Sequence, residues 1–345
     1  MKFEFLGRAI RRFATTDYSE LFGHFRENAQ IAVDHYYGTD GRKSHPLKRF
    51  WFELDIIWCY FRYGADYDDY RDYKFYIKKG RERKRYVTAF KKRKIMYKFQ
   101  NQEVYDNIEN KHLFNVRYAP FIQRKWISST TSTTDEILAF INEHGKVIAK
   151  VTDSGKGVGI NVIHSDNQAE VDELLAEIAK KRIFVIEELI ENAPELKAVN
   201  PSSLNTLRVV TAIDAKGEIH ILGISLRMGS GGSFVDNLSS GGIMCNVNPE
   251  YGIIDSWGIT KTTKEHIKHP DTGVVFPGFQ IPRWKEVLEF IDKVASFDKK
   301  VRYVGWDVAI LPDRIELIEG NCRPGGDTTQ YFSENGIIPI LNSYL

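Results

Sequence analysis

Cysteine is scarce in this chain. Only Cys59, Cys245 and Cys322 occur among 345 residues, far apart from one another. That excludes a disulfide framework and a CxxC-type metal site, and it predicts reduced, buried thiols of a cytoplasmic protein. Long apolar runs are also missing. Met1–Arg8 has no apolar core of a secretion signal, and the most apolar stretch, Phe50–Phe61, is too short to span a bilayer and contains Glu53 and Asp55. It is expected to form an amphipathic core helix. Neither G-x-x-x-x-G-K-[ST] nor G-x-G-x-x-G occurs, so P-loop and dinucleotide-fingerprint chemistry are out. His24, His112, His144 and His220 are scattered, with no Ser-His-Asp or Cys-His arrangement, and are expected to be structural. Net charge is small as well, +2.

That balance conceals an asymmetry. Residues 1–125 carry a net charge of +11 and the remainder −9. The basic excess lies in Lys78–Arg85 and Lys91–Lys94, among tyrosines. Such runs suit nucleic acid, an anionic membrane face or a diphosphate-linked glycan, and equally a solvated helix surface. Apolar content of 42% and aromatic content of 13% predict a folded chain, long enough for two or three modules. Residues 1–109 read as a mostly helical, basic module. Residues 110–195 read as a small α/β unit, with strands around a glycine loop, a helix over Ala169–Lys181, and Thr134 capping a helix after a polar linker. Residues 196–345 read as mainly strands, with one helix over Arg283–Phe297 following Pro282.

Three segments carry chemistry. Gly305-Trp-Asp-Val-Ala309 and Leu317-Ile-Glu-Gly-Asn321 are strand-like runs joined by Leu311-Pro-Asp-Arg314, a turn sequence. In a strand, Glu319 and Asn321 share a face, and pairing brings Asp307 towards them. Two carboxylates and an amide oxygen are a ligand set for Mg²⁺, and equally ordinary polar residues of an edge strand. Lys146–Val151 is an apolar strand holding Lys150. It leads into Ser154-Gly-Lys-Gly-Val-Gly159, whose backbone N–H groups can approach phosphate or simply turn a hairpin. Ile183–Ile186 ends in Glu187-Glu188-Leu189-Ile190, which can offer backbone groups to an adenine edge or be a solvated strand end.

In order and rough spacing, these segments resemble the ATP-grasp superfamily, specifically its sugar-transfer-associated branch, found with polysaccharide biosynthesis. The resemblance also draws on Asn110–Phe114, Pro201–Thr211, Ser225–Gly229, Val235–Asn237, Gly241–Ile243 and Pro324-Gly325. It implies an α+β ATP-grasp fold, in which two α+β subdomains grip ATP, preceded by the helical module. It further implies that Lys111 and Lys150 hold ATP phosphates and that the loop of Ser154, Gly155, Lys156, Gly157 and Gly159 closes over them. Glu187, Glu188, Leu189 and Ile190 would form the adenine hinge, and Glu191 or Glu195 would take the ribose. Arg208 would face the reacting phosphate, and Asp307, Glu319 and Asn321 would bind Mg²⁺. Arg227, Asn237, Gly241, Gly242 and Arg323 fall on the substrate side without an assigned chemical role. The activity implied is an ATP-dependent carboxylate–amine ligase acting through an acyl-phosphate on a sugar acid or amino acid of surface-glycan assembly. The alternative is a kinase on the same scaffold that phosphorylates a hydroxyl. The expected cofactors are ATP and Mg²⁺. The expected partners are a small or glycan-linked carboxylate and an amine, with an anionic membrane surface open to the basic module and no nucleic acid. The expected location is cytoplasmic, at most peripheral to the inner membrane face.

Overall fold

The computed structural model describes residues 18–38, 45–152, 159–333 and 335–345. It divides into two compact units, Met1–Ile95 with Ser333–Ile340, and Met96–Phe332 with Leu341–Leu345.

The described part of the first unit is helical. A helix over Tyr18–Tyr37 packs against one over Pro46–Tyr63, burying Phe25, Ala29, Ala32 and Val33 against Phe52, Ile56, Cys59 and Tyr63. The second helix starts at Pro46, where a missing N–H costs nothing, and stops at Gly64, whose φ of 66° suits glycine. Asp66 then caps a short helix over Tyr67–Asp72 by accepting from the Asp69 N–H at 2.8 Å. The expectation of an amphipathic helix holds only for the inner face of Pro46–Tyr63. Its outer face is apolar too, and exposed. No helix among the described residues is long and apolar enough to cross a membrane.

The second unit carries two antiparallel sheets, so the α+β class expected from the sequence holds. The smaller sheet has the order β1 (Trp126–Ser128), β4 (Phe184–Glu188), β2 (Lys146–Val151), β3 (Ile160–His164). Helices over Thr134–His144 and Gln168–Ala179 bury Ile137, Phe140, Ile141, Val171 and Leu174 on it. Thr133, not Thr134, is the N-cap of the first of these, in a reciprocal capping box with Glu136. The larger sheet runs β11 (Ile315–Asn321), β10 (Tyr303–Ile310), β5 (Thr206–Ile213), β6 (Ile219–Met228), β7 (Ile243–Asn246), β8 (Gly258–Ile259), β9 (Glu265–His266). Strands β5 and β10 are buried at every position, which fits their near-continuous apolar runs. A helix over Trp284–Phe297 adds Val287, Ile291 and Val294 to the core of this sheet. The Leu311–Arg314 turn forms as read, with the Leu311 N–H donating to the Arg314 carbonyl at 2.9 Å.

Candidate active site

Sheet register builds the first half of the site. Across β10 and β11, Asp307 stands opposite Glu319 and Gly305 opposite Asn321. Across β5 and β10, Arg208 stands opposite Asp307. Directly opposed residues of antiparallel strands project to one side, so Glu319, Asp307 and Arg208 form a row on one face. Arg208 donates from both Nε and Nη2 to the two Asp307 oxygens, the second bond at 2.8 Å. Arg227 of β6 donates to the same carboxylate at 3.3 Å, and its other nitrogen reaches Asn237. A Cβ at Gly305 would lie 3.0 Å from Cδ of Arg208, so the glycine leaves room for the guanidinium over the strand.

Burial would raise the Asp307 carboxyl, but the charges of Arg208 and Arg227 overcome it and bring it down to about 2. Its neighbour Glu319 moves the other way. Burial and the adjacent Asp307 charge raise Glu319, and Lys111, Arg208 and Lys150 offset this only in part. The row therefore holds one carboxylate secured by two arginines and a second that is short of positive charge.

The smaller sheet supplies the second half. Lys150 of β2 donates to Glu187 of β4 at 2.6 Å, and Arg124 donates to the other oxygen at 2.9 Å. Asn115, from a helix over Lys111–Arg117, adds a bond at 3.1 Å. Burial opposes ionisation of Glu187, yet Arg124 and Lys150 hold it well below the usual carboxylate range. Arg124 also donates to Glu316 and to the Leu317 and Ile318 carbonyls of β11, so one guanidinium fastens the two sheets together. Lys111 opens its helix, with Asn110 capping by accepting from the Leu113 N–H. Burial lowers the Lys111 ammonium. Glu319 pulls it up, Lys150 pushes it down, and Glu187 and Glu109 pull it up.

The predicted residues thus separate into groups. Lys111, Lys150, Glu187, Arg208, Arg227, Asp307 and Glu319 form one linked set of charges. Asn321 shares the Glu319 side of β11, and its Oδ1 accepts from the Arg323 N–H at 2.9 Å. Arg323 itself reaches Tyr105. Asn237 joins through Arg227, and Gly241 and Gly242 close the turn beyond it. A Cβ at Gly242 would fall 2.5 Å from the Asp236 carbonyl oxygen. Glu188 takes the Lys125 N–H at 2.8 Å, after which Leu189 emerges exposed with Ile190 behind it. Glu191 pairs with Lys197 at 2.5 Å, and Glu195 is exposed on the first turn of the Pro194–Val199 helix. Neither is tied to the charge row by a described bond. Ser154, Gly155, Lys156 and Gly157 lie outside the described residues. Gly159, with φ of 75°, receives the Val151 N–H at the loop exit.

Sequence reasoning passed over Arg124, Asn115, Glu109 and Glu316. Glu109 accepts the Cys322 N–H at 2.8 Å, beside the proposed metal ligands. None of the four sits in a glycine loop or an i, i+2 pattern, and their partners are far away in sequence. An isolated arginine before a strand gives no local sign of a carboxylate 192 residues later.

A family model described as sugar-transfer associated ATP-grasp matches residues 81–344. No curated protein matches the chain. Solved structures similar to the chain include three at TM-scores of 0.42–0.45. One is an ADP complex of N5-carboxyaminoimidazole ribonucleotide synthetase, at 13% identity over 70% of this chain and 54% of that one, with a TM-score of 0.45. D-alanyl-alanine synthetase A from Vibrio cholerae matches at 14% identity, 69% and 65% coverage, and a TM-score of 0.43. The ATP-grasp ligase PsnB with its minimal precursor matches at 13%, 71% and 62%, with a TM-score of 0.42. The chain spans less than two thirds of the length of each.

Proposed function

The chain belongs to the sugar-transfer associated ATP-grasp family, and from that premise we propose that it is an ATP-dependent ligase joining a carboxylate to an amine. The observation that carries this reading is the Asp307–Glu319 pair, in register, with Lys111 and Lys150 within electrostatic reach of Glu319. Two adjacent carboxylates flanked by cationic side chains suit a site that receives a divalent cation together with phosphate oxygens.

In the proposed reaction, a substrate carboxylate oxygen attacks the γ-phosphorus of ATP. The bond to the β-phosphate oxygen breaks, leaving an acyl-phosphate and ADP. The amine nitrogen then attacks the acyl carbon. The C–O bond to phosphate breaks, the nitrogen loses a proton to solvent, and amide and phosphate depart. Such chemistry needs charge neutralisation and alignment more than a protein nucleophile. Burial accordingly pushes the Cys322 thiol up, away from reactive thiolate.

Each side chain then has a task. Lys111 and Lys150 hold phosphate oxygens, with Glu187 orienting Lys150. Arg208, aligned by its two bonds to Asp307, faces the phosphoryl group in transfer. Backbone beyond Glu188, with Leu189 and Ile190, receives the adenine, and Glu195 or Glu191 the ribose. Arg227, Asn237, Gly241, Gly242 and Arg323 border the acceptor. Asp307, Glu319 and Asn321 fit Mg²⁺ by donor chemistry, all hard oxygens, and by Glu319 standing where Lys111, Arg208 and Lys150 offset burial and the Asp307 charge only in part. When bound, Mg²⁺ supplies further charge neutralisation on the phosphoryl oxygens. We assign the carboxylate to a sugar acid or amino acid of surface-glycan assembly, and the enzyme to the cytoplasm, where its three free thiols stay reduced.

The test uses hydroxylamine, which intercepts an acyl-phosphate and leaves a phosphate ester intact. With ATP, Mg²⁺ and a panel of sugar acids and amino acids, the productive carboxylate is expected to give a hydroxamate as ADP forms. A stable phosphorylated sugar that accumulates without any amine would overturn the ligase reading and establish a kinase.

A further inference from the structure

The Pro46–Tyr63 helix has two apolar faces. Phe52, Ile56, Cys59 and Tyr63 are buried. Leu47, Phe50, Trp51, Leu54, Trp58 and Phe61 are exposed, Leu47 at 78%, Trp51 at 64% and Trp58 at 57%. Their spacing of three and four residues places all six on one stripe along the helix, roughly opposite the buried face. No charged residue interrupts the stripe. Glu53 lies outside it, paired with Arg49 at 3.5 Å. Asp55 lies at its flank and is engaged by Arg83 at 2.6 Å and by Tyr70 at 3.0 Å. A contiguous run of exposed Trp, Phe and Leu marks a surface that meets another protein or a membrane.

The charge around the stripe bears on which of these it is. Among the described residues of this unit, several acids are engaged by internal partners. Asp55 holds Arg83, Asp68 and Asp72 hold the buried Arg71, and Asp66 and Asp69 cap each other's backbone. Asp69 is buried and also accepts the Ala89 N–H at 2.7 Å. Consequently the exposed charges are nearly all positive. Arg26, Arg62, Lys79, Arg81, Lys84, Arg85, Arg93 and Lys94 are exposed, against only Glu27 and Glu82 among described side chains of residues 23–95. Arg62 lies beside Phe61 on the same helix. Arg83, anchored on Asp55, holds the segment containing Arg81, Lys84 and Arg85 to the flank of this helix. Aromatic side chains prefer the headgroup boundary, and basic residues beside them add attraction to anionic lipid.

We propose that the Leu47–Phe61 stripe with its basic surround docks this protein on an anionic membrane surface, the helix lying in the headgroup plane. At 18 residues the helix is about 27 Å long, which suits lying along the interface. The stripe falls outside residues 81–344, so this inference goes beyond the family and does not depend on the ligase reaction.

The experiment is co-sedimentation of the full chain with vesicles of phosphatidylcholine alone and of phosphatidylcholine mixed with phosphatidylglycerol. Trp51→Ala/Trp58→Ala is run alongside; both side chains are exposed, so the fold does not depend on them. Binding is expected to the mixed vesicles, with tryptophan emission shifting to the blue, and to fall with added salt. The double variant is expected to bind about a hundredfold more weakly, each buried aromatic being worth about tenfold or more. Its circular dichroism and ATP turnover should match the unmodified chain. Absence of binding to anionic vesicles, or unchanged binding by the double variant, would overturn the proposal. So would a concentration-dependent dimer that the double variant abolishes, since a second copy would then occupy the stripe.

Discussion

Two buried acidic clusters lie in the second unit, and they are finished to different degrees. Around Glu187, one carboxylate meets Arg124, Lys150 and the Asn115 amide. Around Asp307, two arginines secure one carboxylate while Glu319, directly across the strand pair, is raised by burial and by its neighbour. Burying a charge is costly unless partners restore what water gave. The first cluster meets that condition within the chain. The second does so only for Asp307, and the shortfall at Glu319 is what a cation would remove. In this account the Glu187 cluster holds the two sheets together, while the Asp307–Glu319 pair is left open for ligand.

The largest effect that separates them concerns stability. Glu187→Gln strands Arg124 and Lys150 beside a neutral amide. It should lower unfolding free energy by about 3–5 kcal/mol, read from denaturant midpoints. Glu319→Gln should leave stability level or raise it slightly, because it removes a buried carboxylate that its cationic neighbours compensate only in part. Equal destabilisation by both would erase the distinction.

Activity should reverse that ranking. Glu319→Gln is expected to cut ATP turnover by about 100- to 1000-fold, the usual consequence of losing one electrostatic contact to a reacting oxyanion or its counter-ion. A variant with unaltered turnover and an unaltered Mg²⁺ requirement would remove Glu319 from the site. Lys150 belongs to both clusters' surroundings. Lys150→Met should weaken nucleotide binding by about 1.5–3 kcal/mol in a direct titration, the worth of a charge-assisted hydrogen bond. Unchanged affinity would confine Lys150 to the structural cluster.

The smallest effect is in pH. The folded-state pKa of Glu187 is depressed, so its contribution is present above the unfolded value and is lost as pH falls through the much lower folded one. It should persist through mildly acidic conditions. The folded-state pKa of Glu319 is raised. Its contribution is full below the unfolded value and declines as pH rises through the folded one. Without divalent cation, the chain should therefore lose up to about 1.4 kcal/mol per pH unit just above the ordinary glutamate range. Glu319→Gln should flatten that slope. A slope unaffected by the substitution would place its origin elsewhere.

Legibility in the sequence followed the same division. The approach of Asp307 to Glu319 was readable because its cause is local, two strands and a Pro-Asp turn; their exact opposition was not, because it depends on a register shift between Asp307 and Val308 without which Asp307 would face Ile318. Lys150 stood out as a cation within an apolar strand. The Glu187 cluster was not readable. Two adjacent glutamates at a strand end look solvated, whereas Glu187 is buried by Arg124 and Asn115, 63 and 72 residues away. The paired acids of the first unit hid its surface in the same way: composition showed the positive excess, but only packing engages Asp55 with Arg83 and Asp68 and Asp72 with Arg71, and buries Asp69. The helix over Pro46–Tyr63 shows the limit of periodicity itself, since apolar residues on both faces give no single stripe to read.

The most direct measurement is thermal unfolding of the unmodified chain and of Glu319→Gln, each with Mg²⁺ and a non-hydrolysable ATP analogue. A ligand that binds only the folded state at about 100 times its dissociation constant stabilises by about 2.7 kcal/mol. The account predicts a clear upward shift in the unmodified chain that needs both Mg²⁺ and nucleotide, and its loss in Glu319→Gln. An equal shift in both proteins would contradict it, because the Asp307–Glu319 pair would then take no part in receiving the metal–nucleotide complex.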